Sequence, residues 1–167
     1  MSDGPDPRSF DAREPGPNDR REAEDLDPRA ALTSGLDLPR GREREYVYVH
    51  EQPYRLRGSE ARALATIGRF RVVPASDLRD GQGRLGDLRT GDLERLRHAG
   101  LLCSVAPFEG HPRTTLVTLT ARGRALLEHH RIPTHAPAQR FYDGRSTARE
   151  LTHDAQLYRA YLRSADR

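Results

Sequence analysis

The run from Leu85 to Leu127 decides how the rest of the chain is read: LGDLRTGDLERLRHAGLL (85–102), CSVAPFEGHPRTTLVTLT (103–120) and ARGRALL (121–127). Its first part predicts a helix that Asp87 or Thr90 caps and Gly100 ends. Leu93 and Leu96 face the core, and at about 100° per residue Gly91, Glu94, Arg95 and His98 fall on the opposite side, flanked by Thr90, Asp92 and Arg97. The second part predicts strands over Cys103–Phe108 and Arg113–Thr120, with Glu109-Gly110-His111-Pro112 turning between them and Val117 and Leu119 pointing inward. Thr120 then caps a helix whose Leu126 and Leu127 cover the core before Pro133 stops it.

Upstream, the alternation in EYVYVHEQPYRLR sets Tyr46, Tyr48 and His50 against Val47 and Val49, and Glu51-Gln52-Pro53 lets a second strand, Tyr54–Arg57, fold back as a hairpin. Ser59 is the expected N-cap of SEARALATIGRF, with Ala61, Leu64, Ala65 and Phe70 on one stripe and Gly68 as its stop. Pro74 opens a short second helix, PASDLRD, whose Leu78 points inward. Downstream, residues 133–146 read as a linker. Thr147 and Glu150 form a T-x-x-E capping box for a helix over about Ala148–Arg163, where Ala148, Leu151, Ala155, Tyr158 and Leu162 repeat at 3-4-3-4 spacing.

These elements predict a fold that is mainly α with a small β-wing (α+β): a winged helix-turn-helix over 45–132, preceded by a disordered acidic tail over 1–44 and followed by an amphipathic helix over 147–167. The tail holds six of the twelve prolines and almost no periodic apolar residues, so it lacks the surface to offset chain entropy. Hydrophobic residues make up 35% of the 167 and charged residues 32%, a lean balance that agrees with a partly unfolded chain.

Leu93–Leu127 resembles the winged-helix core of MarR-type regulators. The resemblance lies in LERLRHAGLL, in a basic wing tip at HPR followed by TTLVTLT, and in TARGRALLE, and it covers about Arg57 to His130. It implies DNA binding by the third helix and the wing, usually as a homodimer. Proteins of that type dimerise through paired N- and C-terminal helices, whereas here a hairpin and a tail replace the N-terminal one. The final TARELTHDAQLYRAYLR resembles the opening of a further domain in plasmid replication-relaxation proteins, whose winged helix precedes an α/β region. That resemblance implies a short or truncated relative.

Charge is divided along the chain. Residues 1–45 hold 8 arginines and 12 acids, net −4, while residues 46–167 hold 20 arginines and 13 acids, net +7, which fits a polyanionic partner. Every basic residue is arginine, a preference so uniform across tail and core that it reads as coding bias. The lone Cys103 excludes an internal disulfide and a cysteine-rich zinc site. No apolar run approaches the roughly 20 residues of a membrane span, and MSDGPDPRSFDAREPG lacks a signal-peptide core, so a cytoplasmic protein is expected.

Other candidate chemistry has plainer readings. Gly81, Gly83 and Gly86 spell G-x-G-x-x-G, but no buried strand precedes them, so the stretch reads as an inter-helix loop. His129, His130 and His135 lack the spacing and partners of a metal site. Tyr158 and Tyr161 lack the metal-holding His-x-His that a nicking tyrosine requires, so packing explains them. Cys103 has no paired base and reads as a small buried hydrophobe.

The expectation is therefore duplex-DNA binding without catalysis, cofactor or metal, in transcriptional or mobile-element regulation. Arg95, His98 and Thr90 would meet the major groove, Arg113 would hold the wing on the backbone, and Arg84 and Arg89 would contact flanking phosphates. The stripe of the last helix, Ala148 to Leu162, has no evident partner within the chain, and the sequence leaves open whether it packs in cis, pairs in a homodimer or with a partner protein, or meets a missing domain. The alternatives are a protein-interaction winged helix that never meets DNA and a truncated replication-relaxation-like protein.

Overall fold

The computed structural model describes residues 29–78, 91–108, 111–133, 140–144 and 148–165, and they form a mixed α+β fold with two small antiparallel sheets. Chain order is α1 (Ala30–Thr33), β1 (Glu45–Val49), β2 (Gln52–Leu56), α2 (Gly58–Phe70), β3 (Val72–Pro74), a 3-10 turn (Ala75–Asp77), α3 (Asp92–His98), β4 (Leu102–Phe108), β5 (His111–Leu119), α4 (Ala121–His129) and α5 (Ala148–Ala165). Strands β1 and β2 pair with each other, and β3, β4 and β5 form a sheet of order β3-β5-β4.

Helix α2 is the centre of the core. Ala61, Ala63, Leu64, Ala65 and Ile67 are all buried, and they pack with Leu96, Leu101, Leu119, Leu126 and Leu127 from the later elements. The helix starts two residues earlier than an N-cap at Ser59 predicts. Arg57 is the N-cap, and the Glu60 carboxylate accepts from its backbone N–H at 3.0 Å, while the Ser59 hydroxyl donates to Asp92 instead. Gly68 does not stop the helix. The Leu127, Leu119 and Phe141 side chains come within 2.7–3.0 Å of where its Cβ would lie, so the glycine admits close packing, and α2 ends only where Arg71 turns to φ 65°.

The predicted helix opening at Pro74 is a strand end. Val72, Val73 and Pro74 are buried and pair with Thr118, Val117 and Leu116 of β5, leaving only the 3-10 turn before Leu78, which is buried as expected. An edge strand tolerates the missing proline N–H. Helix α3 ends as the sequence indicates: Gly100 adopts φ 70°, its N–H donates to the Arg97 carbonyl at 2.8 Å, and the Leu101 N–H donates to the Leu96 carbonyl at 2.9 Å. Those two bonds make a Schellman motif, which returns the chain directly into β4.

Both hairpins are tighter than predicted. Val49 pairs with Gln52, so His50 and Glu51 alone make the first turn, with φ 46° and 69°. His111 pairs with Phe108, so β5 starts two residues before the predicted Arg113. Thr120 caps α4 as expected, its hydroxyl oxygen accepting from the Gly123 N–H at 3.1 Å while its O–H donates to the Gly100 carbonyl at 2.6 Å.

Two expectations about the flanks need correction, and the partner of the last helix, which the sequence leaves open, is found. Residues 29–44, assigned to the acidic tail, are built into the fold: Leu32, Leu36 and Leu38 are buried, the Asp37 N–H donates to the His130 carbonyl, and the Ile132 N–H donates to the Gly35 carbonyl. Part of the expected linker also docks, since Phe141 is buried and the Tyr142 and Gly144 N–H groups donate to the Gly68 and Leu119 carbonyls. The stripe of α5 is covered by the chain itself. Tyr158 and Ala155 are fully buried, the Tyr158 and Tyr161 rings pack at a tilt against Phe70 with centroids at 5.0 and 5.2 Å, Ala155 joins Val72 and Leu116, and Arg159 pairs with Asp77. A lone apolar stripe does not say which surface covers it.

Candidate nucleic-acid interface

Helix α3 divides its side chains between core and solvent as its period requires. Leu96 is buried and Leu93 half-buried, while Glu94, Arg95 and His98 are exposed. Asp92 was expected to flank the exposed face, but the structure turns it inward, where it is 1% exposed. There it pairs with Arg57, with Arg44 at 3.4 Å and with the Ser59 hydroxyl at 3.4 Å. Glu60, equally buried, pairs with Arg44 at 3.0 Å and lies 3.7 Å from the Arg95 Nε. Buried carboxylates require such partners, and Asp92 as the first residue of α3 also faces the positive end of the helix dipole. This ion cluster ties the hairpin exit and the start of α2 to the start of α3.

On the outer face, Glu94 pairs with Arg97 at 3.0 Å and with His98 at 3.2 Å. A carboxylate that would repel phosphate is thereby partly offset by the Arg97 cation of its own helix, although exposed pairs of this kind are individually weak. Between α3 and β2 lies a cleft of about 370 Å³ whose walls include Arg55, Leu56, Glu60, Arg95, His98 and Arg122. Arg122 reaches it from the first turn of α4, passing over Gly100, where its guanidinium would come within 3.5 Å of an added Cβ. The cleft thus gathers three arginines and one histidine around a carboxylate already paired with Arg44.

Of the residues assigned from sequence, Arg95 and His98 come together here. Arg113 lies on β5, between the His111–Phe108 and Thr115–Pro107 pairings. Arg84, Arg89 and Thr90 lie outside the described residues, as do Gly81, Gly83, Gly86 and His135. Sequence reading missed Arg55 and Arg122. The alternation of the hairpin marks Arg55 as outward, opposite Tyr46, but nothing local tells that this edge of the hairpin faces α3.

Two groups with displaced proton affinity lie away from this cleft. Burial, and secondarily the Arg131 charge, lowers the Arg69 guanidinium, which sits over the Phe141 ring. Burial pushes the Cys103 thiol up, although the residue as a whole is exposed rather than buried as expected. Among the described residues, no three His, Cys, Asp or Glu side chains converge to hold a metal ion, and no helix is long and apolar enough to cross a membrane.

Comparison of the chain with protein-family models, with curated proteins and with solved structures gives no match.

Proposed function

We propose that the chain is a winged helix-turn-helix protein that binds duplex DNA without catalysis, in transcriptional or mobile-element regulation. The observation that carries the reading is the exposed strip of Arg95, Arg122 and His98, two arginines and a histidine, set on α3 and its neighbour α4 beside the β3-β5-β4 sheet. Two further features support it. Helix α3 is followed directly by the hairpin β4–β5, as a recognition helix is followed by a wing, and the stretch Leu93–Leu127 resembles MarR-type regulators in the same segments. In this reading α3 enters the major groove with Arg95 and His98, and Arg122 and Arg113 hold phosphates on either side. Thr90 would join Arg95 and His98 at the groove, and Arg84 and Arg89 would contact flanking phosphates.

Anisotropy of a labelled duplex, titrated with the full chain at several salt concentrations, tests this. About three phosphate contacts per protomer give a log–log salt slope near −2.7, or roughly a 20-fold weakening between about 0.1 and 0.3 M salt. Replacing Arg113 and Arg122 together by alanine should flatten the slope by about 1.8. Absence of binding at the lowest salt sinks the function; unchanged binding by the double variant removes the assigned site and leaves the function.

A further inference from the structure

We propose that the outer face of the β1–β2 hairpin stacks the unpaired bases of a single DNA strand leaving the duplex held by α3, an inference that rests on the DNA-binding reading above. The hairpin has two unlike faces. Val47, Val49 and Leu56 point inward and are buried, while Tyr46 and Tyr48 point outward and are 61% and 54% exposed, the two most exposed large apolar side chains among the described residues. Their rings lie 6.2 Å apart, tilted by only 28°, and form a continuous aromatic surface along the strand. The register places Arg55 opposite Tyr46, its guanidinium 5.4 Å from the ring centroid, and Pro53 opposite Tyr48.

Arg55 and Pro53 also line the cleft that holds Arg95, His98 and Arg122, so the aromatic face and the cationic cleft share a border. Cations for the phosphates beside aromatic rings for the bases is the chemistry of single-strand recognition, and it needs no particular sequence because every base has a π-face. Duplex bases already stack on each other, so such rings find partners only where bases are unpaired. The three arginines at the border favour a polyanion over an apolar protein segment. The platform is also held in place: the His130 Nε2 lies 2.9 Å from the Tyr48 carbonyl oxygen, and the His50 and His129 rings lie 5.3 Å apart, so strand β1 is fixed against the end of α4 before any ligand arrives.

The test compares a blunt duplex with the same duplex carrying a tail of about eight thymidines, both titrated with the full chain. The tail should tighten binding by at least about tenfold and quench tyrosine emission, which is readable directly because the chain contains no tryptophan. The Tyr46→Ala, Tyr48→Ala pair should lose the gain from the tail and keep its affinity for the blunt duplex; the Tyr46→Phe, Tyr48→Phe pair should keep both. The proposal is overturned if the tail adds nothing to wild-type binding, or if its gain survives the alanine pair. It is overturned too if light scattering shows that the alanine pair dissolves a dimer, which would give the face to a second copy. Binding of the blunt duplex alone leaves the duplex reading standing, whereas failure of both DNAs removes the two together. Should the alanine pair not fold, the wild-type and phenylalanine titrations still decide.

Discussion

Removing the Asp92 carboxylate should cost the fold more than any change on the exposed face of α3. Asp92 is 1% exposed and its main partner, Arg57, is 7% exposed, so Asp92→Ala leaves a guanidinium in the interior with its principal counter-charge gone. Breaking a buried pair by deleting one partner typically costs about 3–5 kcal/mol. Two features hold the loss near the lower end, about 3 kcal/mol: Glu60 remains as a second carboxylate in the cluster, and Arg44, a quarter exposed, can turn toward water. Urea unfolding followed by circular dichroism reads this as a midpoint lowered by about 1.5 M for a slope near 2 kcal/mol per molar. The melting temperature should fall by roughly 6–12 °C. The cause is separable from helix propensity by Arg57→Met with Asp92→Leu, which removes both charges and should restore most of the loss. A loss below about 1 kcal/mol for Asp92→Ala, or an equal loss for the double variant, would refute the view that paired charge holds α3 in place.

Other outcomes follow from single side chains. Tyr158 is fully buried against Phe70, so Tyr158→Ala should cost about 3–5 kcal/mol and speed protease cleavage within α5; unchanged protection would mean that the helix does not depend on this ring. Burial raises the Cys103 thiol, which favours its neutral form, so near neutral pH it should alkylate more slowly than free glutathione and catch up only as the pH rises past the usual thiol range. A rate equal to that of glutathione at neutral pH would contradict the shielding.

How far each element was legible depended on how much of its cause is local. Thr120 caps α4 and Gly100 ends α3 because the cap and the left-handed turn are properties of a few neighbouring residues. The two faces of the first hairpin were legible for the same reason, since alternation alone separates Val47 and Val49 from Tyr46 and Tyr48. Gly68 misled because a glycine in a helical pattern looks the same whether it ends the helix or makes room for Leu119, Leu127 and Phe141, residues that arrive from far along the chain. Strand β3 was missed because three residues are too few to show a period, and its pairing to Leu116, Val117 and Thr118 is wholly non-local.

The site divides along the same line. By itself the amino-acid sequence determined the end of the helix that carries Arg95 and His98, the exposure of those two residues, and the two strands that follow it, because periodicity and turn chemistry act within a few residues; its start differs, with Gly91 and not Asp87 or Thr90 as the N-cap. Tertiary structure alone decided that Asp92 turns inward to Arg57 and Arg44, that Arg55 and Arg122 join Arg95 around one cleft, and that α5 spends its apolar stripe on Phe70, Val72 and Leu116 of its own chain. An amphipathic face or a charge declares that it needs a partner. Only the path of the whole chain through space supplies which partner that is.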